Sequence, residues 1–345
     1  MIDFRYHLVS LISVFLALAV GIVLGAGPLQ GPIGSSLQSQ VDGLRTDRDT
    51  LRADLDVSRA HTEQTAAFVE ATAADLIADT LTDRSVALVR LAGSDNDAAD
   101  AVSARVEEAG GAVDVDVSLT EGAFEPADAA LLTSLRDTDP TLPDDDAAVI
   151  PAAMARALGA QSTDAQEQDS SPSPGADAAD DESTDDESAD SAEESRAASE
   201  ALFDVLTEAD RIEAGEWGDA DAAVVIAPSL AQDAVAAPAA SPSPTATEDE
   251  GTITTRSAAV AAYADFASAL AGESTVVVAG PTTSAVGGLV EALRSDRVDL
   301  STVDGTDLST GAVLVPLVVS AALDGAFGDY GTAQGATAVL PDRAQ

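Results

Sequence analysis

The sequence predicts an α/β protein. It has an N-terminal transmembrane helix, a coiled-coil stalk, and a mostly parallel sheet with helices on both faces and disordered acidic insertions. Three observations predict this. Residues 8–26 form a run of nineteen without a charged side chain. Leucine and valine then recur at alternating four- and three-residue spacings over residues 37–55. Beyond residue 84, short apolar runs alternate with segments of helical periodicity. That alternation builds β-α-β units and hence a parallel sheet.

The first segment, residues 1–26, reads as a membrane anchor. At 1.5 Å per residue its uncharged run spans about 28 Å, close to the hydrocarbon thickness of a bilayer. A cleaved secretory signal is the competing fate, with a cut after Gly25 or Ala26, although Leu24 is poorly placed for the latter. A buried globular helix is the third. Arg5 precedes the run and no base follows until Arg45. The positive-inside rule therefore keeps the N-terminus cytoplasmic and the body extracytoplasmic, giving a single-pass protein. The later apolar run 312–323 is too short to span and contains Pro316; it reads as a buried element.

Residues 36–82 read as one long helix or two. Leu37, Val41, Leu44, Leu51 and Leu55 occupy coiled-coil a and d places, and Arg48 fills the skipped one. These five apolar residues are the candidate oligomerisation face, giving a homo-oligomer or an envelope partner; packing on the chain's own domain is the alternative. Beyond residue 55 the seam weakens through Ser58, Thr62 and Thr65.

The domain at 85–341 opens with the strand SVALVRL at 85–91. A helix over 95–109 and a strand over 112–119 follow, and then a helix over 147–158 that contains Pro151. Residues 162–195 hold thirteen Asp or Glu and no base, so they read as a disordered insertion. A helix around Ala201, Leu202, Val205 and Leu206 precedes a strand over 220–227. Residues 236–250 read as a second disordered insertion. Helices over 255–270, 284–293 and 309–323 then alternate with strands over 274–279 and 298–303. One shared sheet is expected; two lobes, 85–160 and 197–341, are the alternative.

Composition excludes several chemistries. With 61 acidic and 16 basic side chains the formal charge is −45, which repels nucleic acid. There is no Cys, so disulfides, thiolate metal sites and Cys nucleophiles are out. The two histidines, His7 and His61, precede the domain, and the methionines are Met1 and Met154. Soft-metal ligands are therefore scarce, and no metal site, cofactor or catalytic residue is assigned. No GxSxG elbow appears, and the domain has no histidine to serve as base. The expectation is a non-enzyme.

Two turns are weak anion-site candidates. Gly93 and Ser94 follow the first strand; Gly280, Thr282 and Thr283 follow the strand at 274–279. Ligands bind at such strand ends in doubly wound folds. Ordinary helix capping, by Asp95, Thr283 and Ser284, is the alternative. The glycine-rich segment 325–336, GAFGDYGTAQGA, reads as a loop that wraps the sheet edge or lines an interface.

The opening MIDFRYHLVSLISVFLALAVGIVLGAGPL closely resembles that of the mycobacterial copper transport protein B (MctB) family of actinobacterial envelope proteins. The helix over 37–81, the segment GDYGTAQGA and the following Val339, Leu340 and Pro341 are further resemblances. The resemblance implies a role in keeping intracellular copper low, with an outer-membrane pore as the route, and copper as a partner on that ground only. A barrel needs repeated alternating strands of about ten residues. The β-α alternation here predicts a different architecture, and a copper role through assembly with itself or other envelope parts. An anchored scaffold without transport, or an extracytoplasmic enzyme, are the alternatives.

Overall fold

The computed structural model describes residues 4–25, 30–159, 185–216, 218–229, 250–296 and 298–342. The chain divides into two compact units, residues 1–65 and 66–345. The first holds α1, Phe4–Gly25, and most of α2, Gln30–Ile77. In α1 the window Tyr6–Val23 is long and apolar enough to cross a bilayer, and none of it is buried in protein. A helix apolar around its whole circumference needs an apolar surrounding. α2 is one helix of 48 residues rather than two. It begins before the expected residue 36; Pro32 falls in its first turn, where a missing amide N–H breaks no helical bond.

The second unit is built on a seven-stranded sheet ordered β3-β2-β1-β4-β5-β6-β7. Its elements are β1 (Ser85–Arg90), α3 (Asn96–Glu108), β2 (Ala112–Leu119), α4 (Ala129–Thr138), α5 (Asp146–Leu158), α6 (Asp185–Glu208) and β3 (Ile212–Glu216). After these come β4 (Ala222–Ile226), α7 (Glu250–Ala271), β5 (Thr275–Gly280), a 3-10 turn (Thr282–Ala285), α8 (Leu289–Asp296), β6 (Ser301–Asp304), α9 (Ser309–Leu323) and β7 (Asp329–Tyr330). Only the β2–β3 pair is antiparallel. One sheet, not two lobes, carries the domain.

The central strands are apolar at almost every position because both faces are covered. Along β1, Val86 and Leu88 point to one core, Ala87 and Val89 to the other. α3, α9 and the last turns of α2, through Ala73 and Ile77, cover the first face. α5 to α8 cover the second. Phe124 packs there against Tyr263 and Phe266, ring centroids 5.5 and 5.4 Å apart. The apolar run predicted as a buried element is α9, in which every residue from 311 to 319 is buried.

Several expectations shift. The helix over 284–293 is split: the 3-10 turn ends at Ala285 and α8 starts at Leu289. Gly287, at φ +80°, turns the chain between them. β3, α4 and β7 were not expected. α6 begins at Asp185, inside the stretch 162–195 read as an insertion, as the N-terminal extension of a helix docked by Leu202 and Leu206. Residues 160–184 and 230–249, which hold most of both expected insertions, lie outside the described residues. Pro151 sits inside α5 without ending it; burial of Val149, Ile150, Ala153 and Met154 offsets the lost hydrogen bond.

Asp139, after α4, is tied to Arg156 on α5. Burial by itself raises its carboxyl, but the Thr141 hydroxyl and amide and the Arg156 guanidinium outweigh this and hold it below the usual range. A carboxyl lowered on folding stabilises the fold above its unfolded value of about 3.9. That stabilisation is lost as pH falls through the lower folded value. Asp139→Asn is expected to cost about 1.5–3 kcal/mol at pH 7. It should also flatten the loss of stability below about pH 4. Urea midpoints of the full chain in detergent, at pH 7 and pH 3, check both.

Candidate functional site

The strand order places β1 and β4 side by side, with the chain leaving them in opposite directions across the sheet. That reversal is where open α/β sheets hold ligands, outside the carboxyl ends of the strands. The turns after β1, β4, β5 and β6 all lie at that end. Gly93 turns the chain after β1 with φ +78°, and its α-carbon faces Pro228 after β4. Ser229 and Thr283 join the turns after β4 and β5 through hydroxyl oxygens 2.7 Å apart. Asp307, after β6, accepts from the Thr282 amide (2.7 Å) and hydroxyl (3.0 Å). The Thr306 amide donates to the Gly280 carbonyl at 3.1 Å.

The five predicted residues are thus gathered at one end of the sheet, and much of their hydrogen-bonding capacity is spent on the fold. The Ser94 amide donates to the Leu91 carbonyl (3.0 Å). Thr282 is held by Asp307. The neighbouring capping groups act similarly: Asp95 accepts from the Asp97 amide to cap α3. Ser284, fully buried, accepts from the Val290 amide in the first turn of α8. With the Asp307 carboxylate already at the Thr282 corner, a second anion there meets repulsion.

A second constellation lies at the far edge. Arg294 and Asp304 form an ion pair at 2.9 Å, their side chains 5% and 1% exposed. Asp304 also accepts from the Thr332 and Ala333 amides at 2.9 and 3.1 Å. Arg294 spends its other donors on Thr302 Oγ1 (2.9 Å), the Tyr330 carbonyl (2.9 Å) and the Gln334 carbonyl (3.3 Å). The segment 328–334 is wrapped around this pair. Gly331, at φ +129°, has no room for a Cβ, which would overlap the Asp304 carboxylate. The glycine-rich segment therefore wraps the sheet edge, one of its two expected roles, and supplies β7.

On α2 the candidate stalk residues face outward. Val41, Leu44, Leu51 and Leu55 are 40%, 68%, 68% and 48% exposed. Leu37 is in the helix, but its side chain lies outside the described residues. Among the described residues no group of three or more His, Cys, Asp or Glu is placed to hold a metal ion. Met154 is fully buried in the core.

With the N-terminal apolar helix, the long α2 and the glycine-rich edge in place, comparison with known proteins is decisive. A family model described as "Copper transport outer membrane protein, MctB" matches residues 1–341. The chain belongs to the MctB family. The Copper transporter MctB of Mycobacterium tuberculosis (strain ATCC 25618 / H37Rv) is 35% identical over 135 residues, 39% of this chain and 43% of that protein. Its counterpart in Mycobacterium leprae (strain TN) is 50% identical over 121 residues, 35% of this chain and 38% of that protein. The aligned segments thus span less than half the length of these relatives.

Within this MctB-family chain, sequence reasoning placed the turn residues and the glycine-rich segment but missed Arg294 and Asp304. The only local signal was an Asp ending a short strand, followed by glycine. The partner lies on α8, and nothing in the spacing announces it.

Proposed function

We propose that this chain is a single-pass envelope protein acting in copper homeostasis. Its N-terminus is cytoplasmic, and its α/β head and stalk lie outside. It works as a non-enzymatic assembly component, with itself or another envelope protein, rather than by binding copper along its own path. The observation that carries this is the N-terminal helix, exposed on all sides over Tyr6–Val23, in a chain matched by the copper-transport family model from residue 1. The exposed leucines of α2 support the assembly part of the reading. An outer-membrane location would follow from the family description alone.

A second reading, an anchored scaffold without a transport role, draws support from the turns at the sheet end, whose donors serve the fold. Copper tolerance of a deletion strain separates the two. Under the first reading the full chain restores tolerance, and so does the body fused to an unrelated single-pass anchor. A form lacking residues 1–26 stays in the cytosol and does not. Unchanged copper tolerance on deletion would leave the scaffold reading, and rescue by the cytosolic form would remove the envelope role.

A further inference from the structure

Residues 41–59 of α2 carry a charge pattern that specifies their partner. Setting Val41 at a heptad a place puts Leu44 and Leu51 at d, and Arg48 and Leu55 at a. The same register puts Arg45, Arg52 and Arg59 at the three successive e places, and Asp47 and Asp54 at g places, with Gln40 the g place before them. In a parallel two-stranded coil each g side chain meets the e side chain five residues later on the partner. Gln40 then meets Arg45, Asp47 meets Arg52, and Asp54 meets Arg59. In an antiparallel pair e faces e and g faces g, so arginine would face arginine and aspartate face aspartate. The pattern is self-complementary in one orientation only.

The single chain leaves these groups open. Among the described residues the ion pairs on this part of α2 are Asp42–Arg45 at 3.2 Å and Arg48–Asp49 at 2.6 Å. Asp47, Arg52, Asp54 and Arg59 are exposed and stand outside them. The apolar seam between them is exposed too, Leu44 and Leu51 at 68% each. Valine at the first a place, 41, with leucine at the d places 44 and 51, favours two strands over that stretch. A single cationic a residue, Arg48, weakens the seam but sets register and strand number, as isolated polar a residues do. In the parallel pair each Arg48 packs against the partner's g residue Asp47, which compensates its charge.

We propose that residues 41–59 form a parallel, in-register, two-stranded coiled coil with a second copy of this chain. The inference deepens the anchored-assembly reading and rests on it, since anchors inserted in one direction present both stalks in parallel. Its occupant is a second copy because the e and g charges answer each other within one sequence.

The absence of Cys from the native chain makes single-cysteine crosslinking clean. Full-length Leu51→Cys, in membranes with diamide as oxidant, is expected to yield a disulfide dimer. Ala53→Cys, at the outward f place, is expected to yield little. Asp54→Arg should deplete the Leu51→Cys dimer, and adding Arg59→Asp should restore it. The unmodified chain in nanodiscs should carry twice the mass of the 34.6 kDa protomer. A one-copy or three-copy mass would overturn the proposal, as would equal crosslinking at residues 51 and 53. A one-copy chain that still restored copper tolerance would remove the dimer and leave the copper reading standing.

Discussion

Asp304→Ala is expected to cost about 3–5 kcal/mol of head stability, the usual penalty for removing one partner of a buried ion pair. The reason is what stays behind. Arg294 would remain 5% exposed at its side chain with only the more distant Asp329 carboxylate, 3.8 Å away, to answer it, and a buried, poorly compensated charge is more expensive than the pair was worth. The Thr332 and Ala333 amides would lose their acceptor as well. Within the sheet β7 pairs with β6; its further bridge, from Tyr330 to Ala338, lies within the same terminal segment, so the ion pair is a main tie between that segment and the head. Asp304→Asn keeps an acceptor oxygen for the amides and should lose less. Urea unfolding of the full chain in detergent gives the magnitudes. Limited proteolysis should show cleavage within residues 326–342 first in the alanine variant. Equal stability of Asp304→Ala and the native chain would mean that the pair contributes nothing to the edge.

Gly311→Ala is expected to be nearly as damaging, at more than about 3 kcal/mol, above the usual overpacking range. Gly311 lies in the first turn of α9, against the turn that follows β6. A Cβ there would overlap the Gly305 carbonyl and the Thr306 amide nitrogen. Both are backbone atoms, so no side chain can swing aside. Relief requires α9 to move off the sheet, and α9 is buried from residue 311 to 319. Gly325→Ala is the control. It has φ +80° but open space around a Cβ, so only the left-handed backbone term applies, about 1–2 kcal/mol. Thermal unfolding of both variants separates steric overlap from backbone strain. Similar losses would show that the α9 contact is not tight.

The elements read correctly from the sequence are those whose signal is local. SVALVR and TVVVAG each hold a continuous apolar stretch, residues 86–89 and 276–279, and both became central strands buried on each face. α9 matched its expected bounds because its apolar run is flanked by polar turns. Asp95 capped α3 as its position suggested. The failures are equally physical. β3 reads IEAGE, with little apolar content, and exists because β2 offers it an antiparallel edge. β7 is two residues long and held by β6 and the Arg294–Asp304 pair. The helix over 284–293 broke because Gly287 and Gly288 outweighed the apolar periodicity on either side. The candidate turns were visible by position, but whether their donors point outward or serve the fold was not, since Asp307 and Ser229 lie far along the chain from the residues they touch.

By itself, then, the sequence determined the uncharged helix at the start, the long helix that follows it, the α/β alternation and the lack of thiol chemistry. Each depends only on composition or on spacings of a few residues along the chain. The tertiary structure alone decided the strand order and its reversal at β1 and β4. It also decided the buried Arg294–Asp304 pair and the capture of the Thr282 amide by Asp307. Those depend on which distant groups meet once both faces of the sheet are covered, and burial then makes every unpaired charge or amide costly.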